Sequence, residues 1–313
     1  LRAGPHRRRC PAGGIGRWVV ADLVAHGHEV VAVDRAAPGT TRPGTGGQQA
    51  AEAAPTTYSK GPETPTSGVT WHVGDVRDPA LLERATAGAD ALIHLAAIPA
   101  PTLGTAYDVF STNTQATFTA LEAAGVSGLK RVVIASSISQ LGLPYSPVPI
   151  SPISAPVDDR HANIGSDPYA LSKEVDERTL TTMHRRHGYQ AIALRISGVA
   201  PLAWFEESRP PIEADPGTLS HELWAYLDSR DAARAFALAV EKDIPGLHVI
   251  NTMAPDIRIE SHTSADLMAR YHPTTGLTRP LVGRECIFDL SLARQLLGFE
   301  AQHLLFPGRT DHP

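Results

Sequence analysis

Short apolar runs rich in β-branched residues alternate with longer helical patterns along most of the chain, and this alternation restricts the fold more than any other feature. The runs HEVVAVDR (28–35) and KRVVIASS (130–137) are continuous enough to be strands covered on both faces. Strands that alternate with helices form βαβ units, and such units build a parallel sheet. The sequence therefore predicts an α/β fold with a doubly wound parallel sheet.

The periodicity of the apolar residues gives the expected boundaries of these elements. Strands are predicted at residues 28–35, 69–76, 89–97, 130–137, 189–196 and 247–251. Helices are predicted at residues 14–27, 81–87, 105–124, 168–187, 265–271 and 290–297, and residues 224–241 are predicted as a short strand that leads into a helix. Two stretches lack such periodicity: residues 199–223 are predicted as a loop over a site, and residues 36–68 as a surface insertion.

A glycine-rich turn opens the first predicted helix, with Gly13, Gly14, Ile15 and Gly16 in sequence. Glycines at the N-terminus of a helix let the backbone approach a pyrophosphate. Asp34 follows at the end of the next strand, where its carboxylate would accept hydrogen bonds from ribose hydroxyls and repel a 2′-phosphate. This pattern predicts a Rossmann-type sheet that binds NAD, and a surface turn with an unrelated Asp is the alternative.

Further candidates for contact with the cofactor lie at the carboxyl ends of the predicted strands, where this type of fold binds its ligands. Arg35 follows Asp34 and leaves NADP as a second possibility, because a guanidinium there can meet the 2′-phosphate. Asp75 and Val76 follow the next strand and offer a carboxylate and an apolar wall for an adenine ring. The small residues Leu95-Ala96-Ala97 would let a dinucleotide lie against the backbone.

Three residues in the second half of the sheet predict proton-transfer chemistry. Tyr169 and Lys173 are four residues apart at the start of a helix and therefore share a face. A nearby ammonium lowers the pKa of a phenol and makes it a usable general acid or base. Ser137 ends a predicted strand, where its hydroxyl can orient a substrate oxygen. The order of these residues along the chain carries more weight than their spacing, which arises often by chance.

The chain resembles the extended short-chain dehydrogenase/reductases, the NAD-dependent epimerase/dehydratase family, over nearly its whole length. The resemblance rests on HLAA (94–97), SSISQLG (136–142), DPYALSKEVDE (167–177), LRISGV (194–199), YLDSRDAARA (226–235) and FDLSLARQLLGF (288–299). It implies that Ser137, Tyr169 and Lys173 are the catalytic residues and that Lys173 binds the nicotinamide ribose. It also places Asn113 and Ile196 among the cofactor-site residues, with Asn113 holding the catalytic segment, and implies a homodimer.

Two departures from the family bear on the substrate. Gly198 stands where sugar-nucleotide epimerases carry an Asn that helps to hold the diphosphate, and Arg284 is all that remains of a paired basic motif. Both favour a free sugar or a uronate over a nucleotide-diphosphate sugar. Ile138 and Ser139 follow the catalytic Ser where the family's dehydratases have acidic residues, which disfavours dehydration. The remaining alternatives are an epimerase, a sugar or uronate dehydrogenase that releases NADH, and a non-catalytic dinucleotide-binding protein.

The resemblance divides the chain into two parts. Residues 1–198, with 224–252 returning to them, are predicted as the NAD-binding Rossmann domain, and residues 199–223 and 253–313 as a small C-terminal substrate-binding lobe. The formal net charge of −5 offers no basic field for nucleic acid, and no apolar run is long enough to span a bilayer. With two cysteines and no histidine pairing typical of a metal site, the sequence predicts a cytoplasmic protein without a bound metal.

Residues 1–11 do not fit the rest of this prediction. The first strand of a Rossmann sheet is central and should be apolar, but the corresponding stretch runs from Gly4 to Arg9 and contains Pro5 and three arginines. In addition, Cys10 replaces the first glycine of the family turn. We interpret residues 1–11 as a reading-frame error or a decayed start, with a basic disordered tail as the alternative. In either case we expect weak binding of NAD.

Overall fold

The computed structural model describes residues 14–36, 61–62, 65 and 67–307. The predictions for residues 1–11, for Gly13 and for most of the insertion at 36–68 lie outside the described residues.

Within the described ranges all strand pairs are parallel. In chain order the strands are β1 (Val30–Asp34), β2 (Val69–Val73), β3 (Ala91–His94), β4 (Arg131–Ser137), β5 (Ser154–Ala155), β6 (Gln190–Ile196), β7 (Val199–Ala200), β8 (Leu227–Asp228), β9 (Leu247–Thr252) and β10 (Gly276–Leu277). The α-helices are α1 (Ile15–Ala25), α2 (Pro79–Thr86), α3 (Ala106–Val126), α4 (Pro168–His187), α5 (Leu202–Ala214), α6 (Ser229–Glu241) and α7 (Ser264–Tyr271). Among the described residues no helix is both long and apolar enough to cross a membrane.

The main sheet has the order β3-β4-β6-β9, and β1 pairs with β2 in a separate ladder of the described chain. Its strands alternate with helices, so the predicted Rossmann-type α/β fold is confirmed. In the register of the sheet, Ser137 at the end of β4 lies opposite Ile196 at the end of β6, and Ile196 lies opposite Thr252. The carboxyl ends of the central strands therefore meet at one edge, which is where the predicted catalytic residues fall.

Helices cover both faces of the main sheet because successive strand residues point to opposite sides. On one face Val133 and Ile192 pack with Phe236 of α6 in a cluster that also contains Val19 of α1. On the other face, strand residues pack with residues of α3 and α4, in a cluster that includes Leu121, Val132, Ile134, Leu180, Ala191 and Ala193. The resulting three layers hold α4, and the side chains at its start, firmly against the sheet.

A second apolar core lies beyond the carboxyl edge of the sheet. It combines residues from the C-terminal part of the chain, such as Trp224, Leu267 and Ile287, with residues such as Leu141 and Val157. Trp224, Leu141 and Val157 belong to the part of the chain that was predicted as the Rossmann domain, and Leu267 and Ile287 to the predicted C-terminal lobe. The material beside the sheet edge is therefore assembled from several distant segments.

The prediction of a loop over residues 199–223 was wrong. This stretch forms β7, the 13-residue helix α5 and a 3₁₀ helix at Pro216–Glu222. Pro210 and Pro211 lie inside α5 and made a helix improbable from local preference alone. Burial of Phe205 and Ser208 on one side of α5 offsets this unfavourable preference. At 290–297 the structure has a π-helical turn, Ala293–Leu297, in place of a regular α-helix.

Candidate active site

The end of β4 places Ser137 at the carboxyl edge of the sheet. The hydroxyl oxygen of Ser137 accepts a hydrogen bond from the backbone N–H of Ser139 at 3.1 Å. This bond starts the 3₁₀ turn Ile138–Leu141 and turns the chain away from the sheet. As a result the Ser137 side chain lies in the cleft at the sheet edge and lines it.

Helix α4 begins at a well-formed cap that orients the two other predicted catalytic residues. The Asp167 carboxylate accepts hydrogen bonds from the backbone N–H groups of Tyr169 and Ala170, each at 2.9 Å. Pro168 occupies the first helical position, where its missing N–H costs nothing. Tyr169 and Lys173 then face the sheet, with exposed fractions of 6% and 5%, while both still line the cleft.

The phenol of Tyr169 lies among groups with opposing effects on its acidity. Burial raises the pKa of Tyr169, whereas the charge of Lys173 and a hydrogen bond with Ser137 lower it, and the pKa remains above its ordinary value. A bound positive charge near the phenol would add to the lowering. The ring of Tyr145 packs edge-on against that of Tyr169, with 6.0 Å between the ring centroids, and shields it from one side.

The ammonium of Lys173 is held beneath the end of β4. Its Nζ donates to the backbone carbonyl of Ala135 at 3.0 Å and to the carboxylate of Asp176 at 3.1 Å. The same nitrogen is 5.9 Å from the centroid of the Tyr169 ring. Burial lowers the pKa of Lys173, but the charges of Asp176 and Tyr169 oppose this, and the pKa is above its ordinary value. Lys173 therefore stays positively charged at neutral pH.

Asn113 of α3 lies behind the cleft and not in it. Its side chain is completely buried and does not line the cleft. Its Oδ1 accepts from the backbone N–H of Ile98 at 2.7 Å, and its Nδ2 donates to the carbonyl of Ile98 at 3.1 Å and to the Ser172 hydroxyl at 3.0 Å. The amide joins the loop after β3 to α4, and this position favours a structural role over direct contact with the cofactor.

At the other end of the cleft, the end of β1 and the segment after β2 supply charged groups. Asp34 accepts a hydrogen bond from the backbone N–H of Ala36 at 3.2 Å. Asp75 forms a bidentate ion pair with Arg77, with 2.6 Å between Nη2 and Oδ2. The Arg77 guanidinium lowers the pKa of Asp75 to about 2, so this carboxylate is ionised at neutral pH. Arg77 was not predicted from the sequence, although its position two residues after Asp75 makes such a pair possible.

One cleft brings these predicted residues together. The predicted site residues that line it are Gly14, Ile15, Gly16, Asp34, Arg35, Asp75, Val76, Leu95, Ala96, Ala97, Ser137, Tyr169, Lys173 and Ile196. The structure adds Tyr145, Ser197 and Arg258 to the lining; Ser197 lies within the LRISGV motif, whereas no motif in the sequence marked Tyr145 or Arg258. Among the aromatic residues of the C-terminal half, Trp204 lines the cleft, whereas Phe205 and Trp224 are buried in the cores.

The fold and the cleft define a class of protein: an α/β enzyme of the Rossmann type with a Ser, Tyr and Lys at the carboxyl edge of its sheet. Residues 11–200 match the model of the NAD dependent epimerase/dehydratase family, so the chain belongs to that family.

Individual relatives agree with this assignment. Over 208 residues the chain is 29% identical to an L-arabinose 1-dehydrogenase (NAD(P)(+)) from Haloferax volcanii, a match that covers 64% of this chain and 80% of the relative. Among solved structures it is similar to MoeE5 in complex with UDP-glucose and NAD, with a TM-score of 0.63, 22% identity and coverage of 96% and 94% of the two chains. A mutated uronate dehydrogenase gives a TM-score of 0.61 at 18% identity, with coverage of 94% and 80%. At such identities the two structures show the fold alone.

Proposed function

We propose that this protein is an NAD-dependent oxidoreductase or epimerase that acts on a hydroxyl-bearing carbon of a sugar or sugar derivative. The observation that carries the proposal is the placement of Tyr169: its buried phenol has a hydrogen bond with Ser137 and the ammonium of Lys173 nearby, in a cleft that also contains Asp34. A phenol in this setting can exchange a proton with a substrate hydroxyl.

The residues along the cleft fit a dinucleotide. The N-terminus of α1 at Gly14–Gly16 has partial positive charge and small residues for a pyrophosphate, and a Cβ at Gly16 would meet no atom within 4 Å. Asp34 would hold the adenosine ribose, and Leu95–Ala97 would lie along the cofactor without bulky side chains. When bound there, NAD supplies the acceptor for a hydride. The Asp34 side chain favours NAD, with NADP as the second possibility because Arg35 lies beside it.

The chain's own residues would then divide the proton chemistry among them. Ser137 would donate a hydrogen bond to the substrate oxygen and fix its distance from the phenol. Tyr169 would take the hydroxyl proton as the hydride leaves the same carbon, and return a proton in the reverse direction. Lys173 would stabilise the phenolate by its charge and, through its remaining N–H, hold the nicotinamide ribose.

A free sugar or a uronate fits this cleft better than a sugar nucleotide. Arg284, the remaining residue of the basic motif, has an exposed fraction of 4% and does not line the cleft. Its guanidinium carbon lies 4.3 Å from the centroid of the Phe306 ring. It is thus placed to pack against an aromatic ring and not to bind a diphosphate, which supports the preference drawn from Gly198.

A substrate screen distinguishes the three candidate functions of this site. The purified chain is incubated with NAD and a panel of aldoses, uronates and UDP-sugars, and absorbance of reduced cofactor is followed alongside product analysis. We expect a free aldose or uronate to produce NADH, as a dehydrogenase would. Product without net NADH would identify an epimerase. Binding of NAD without any product across the panel would support a non-catalytic dinucleotide-binding protein.

The substitution Tyr169→Phe tests the catalytic assignment. It removes the proton carrier and keeps the ring, so we expect kcat to fall by about 10²–10⁴-fold with NAD affinity nearly unchanged. Tyr107→Phe is the matched control, because Tyr107 is 78% exposed on α3 and should leave the rate as it is. A Tyr169→Phe variant that keeps half of its rate would show that the phenol is not the proton carrier.

We also infer a homodimer formed through α3 and α4, as in the family resemblance. Leu121 of α3 is fully buried in the protein's own core and does not contribute to this surface. The exposed large apolar residues on these helices are Tyr107, Phe118, Val126 and Leu171, with exposed fractions of 78%, 52%, 67% and 48%. They offer a suitable apolar surface for a second copy of the chain.

A further inference from the structure

A buried carboxylate lies directly behind the candidate active site. Asp176 is three residues after Lys173 on α4 and has an exposed fraction of 1%. Its Oδ2 accepts from the Lys173 ammonium at 3.1 Å, while the same ammonium donates to the carbonyl of Ala135 at 3.0 Å. An ammonium has three N–H donors, so these two bonds leave one donor and determine its direction.

A side chain of the neighbouring helix α3 lies against Asp176. The side chain of Thr117 on α3 lies beside the Asp176 carboxyl, where it lowers the pKa of that group against the larger raising effect of burial. The Thr117 hydroxyl also hydrogen-bonds Nε2 of His94 at 3.2 Å. Burial lowers the pKa of His94 to about 3, so its ring is neutral at physiological pH. A buried polar chain therefore runs from Lys173 through Asp176 and Thr117 to the end of β3.

The two charges of this pair act on Tyr169 in opposite directions. The positive charge of Lys173 lowers the pKa of Tyr169, and the negative charge of Asp176 raises it. Burial of the Lys173 ammonium costs several kcal/mol of solvation, and the charges of Asp176, Tyr169 and Glu177 offset this cost, with Asp176 contributing most. The position of Lys173 and its influence on the phenol are thus both coupled to one carboxylate.

We propose that Asp176 is a positioning residue for the catalytic lysine: it fixes the Lys173 ammonium under the end of β4 and moderates the positive charge that Tyr169 experiences. The proposal rests on the assignment of Tyr169 and Lys173 made above. Asp176 does not line the cleft, so it would act only through Lys173 and Tyr169.

Other charged groups around the pair must be considered before a shift in pH dependence is attributed to Asp176. Asp167 at the start of α4 also raises the pKa of Tyr169. Glu177 raises the pKa of Lys173, but it is held in a bidentate pair with Arg195 of β6 at 2.8 and 2.9 Å. The groups that face Tyr169 and Lys173 from the surrounding elements are Asp167, Asp176 and Glu177 of α4, His94 of β3 and Ser137 of β4.

The test compares Asp176→Asn with Glu174→Gln. Asparagine keeps the shape and an acceptor oxygen but removes the charge. We expect the pH midpoint for sugar oxidation to move down by about 0.5 unit or more, because Tyr169 loses a neighbouring negative charge. We also expect the Kd for NAD, measured by tryptophan fluorescence, to rise about tenfold as the Lys173 ammonium loses a charged hydrogen bond.

Two further variants make the outcome decisive. Glu174→Gln removes a carboxylate on the same helix that binds Asn163 and is not among the groups acting on Tyr169 or Lys173, so it should leave both quantities unchanged. Asp176→Glu keeps the charge, so its pH midpoint should stay that of the native protein even if its Kd rises. The proposal is overturned if the Asn variant leaves midpoint and Kd unchanged, or if the Glu variant lowers the midpoint.

Failure of the proposed function would look different. If Tyr169→Phe kept its rate, the catalytic assignment would be lost, but the effect of Asp176→Asn on the Kd for NAD would still report on the position of Lys173. If Tyr169→Phe kept its rate and Asp176→Asn kept the native Kd for NAD, both proposals would be refuted.

Discussion

Replacement of Asn113 by alanine tests how the loop after β3 is held in place. This loop carries Leu95–Ala97 along the cleft and continues to Ile98. Both backbone polar groups of Ile98 bond to the Asn113 amide, at 2.7 and 3.1 Å, and the same amide donates to Ser172 at 3.0 Å. Because Asn113 has no exposed surface, water does not take over these bonds without some opening of the structure.

The expected loss of stability follows from the groups that remain. Alanine leaves the N–H and the carbonyl of Ile98 without their partner, whereas Ser172 keeps the bond that its hydroxyl donates to the carbonyl of Tyr169 at 2.8 Å. An orphaned buried polar group costs about 1–3 kcal/mol, so the free energy of unfolding should fall by about 2–6 kcal/mol. Ordering the freed loop on binding costs about 0.5–1.5 kcal/mol per side chain, so the Kd for NAD should rise about tenfold.

Urea unfolding followed by fluorescence measures the first quantity, and NAD titration measures the second. Gln115→Ala is the matched control, because it removes an amide from an exposed position on the same helix and should change stability by no more than about 0.5 kcal/mol. If Asn113→Ala lost less than about 1 kcal/mol, the amide would not be the group that holds this loop.

Three further predictions concern the cofactor, acid stability and assembly. Asp34→Ala should shift the ratio of Kd values towards NADP, since the carboxylate that repels a 2′-phosphate is removed and Arg35 remains; Kd values that change in parallel would contradict this. His94 has a pKa of about 3 in the folded protein and an ordinary value near 6.5 when unfolded, so its contribution to stability is complete above pH 6.5 and is lost as the pH falls towards 3. Between pH 7 and pH 5, the free energy of unfolding should therefore fall by about 1.4 kcal/mol per pH unit once the pH is below the unfolded-state pKa of His94, and it should fall less steeply for His94→Gln. Equal slopes for both proteins would show that His94 is not the group responsible. Phe118→Glu should convert a dimer into a monomer in light scattering at micromolar concentration, and a native protein that is already monomeric would exclude the interface.

Much of the fold was accessible from local patterns. The helix at 168–187 was predicted with the bounds that the structure has, because Asp167 and Pro168 begin it and Gly188, with φ of 77°, ends it. The strands around Ser137 and Ile196 were equally clear, since both are continuous apolar runs buried on two faces. Helix α5, with its two prolines, is stabilised mainly by packing against distant residues. Local preference therefore predicted a loop where the structure has a helix.

For the candidate site, too, some residues could be predicted from the sequence and others could not. Ser137, Tyr169 and Lys173 were found because strand ends and helix starts are local features, and because the order of these residues resembles that of a family. Tyr145 was not found, since it lies outside the predicted strands and helices and meets Tyr169 only through the folded chain.

The sequence by itself determined most of the strands and helices, and it placed Ser137 at the end of a strand and Tyr169 and Lys173 at the start of a helix. The patterns that indicate strands and helices depend on residues that are neighbours in sequence, so they can be recognised without knowing how the rest of the chain folds. Only the tertiary structure decided that Asp176 lies against Lys173 with Thr117 and His94 behind it, and that Asn113 faces Ile98. These contacts join residues from separate elements, and their strength depends on burial, which arises only when the layers pack together.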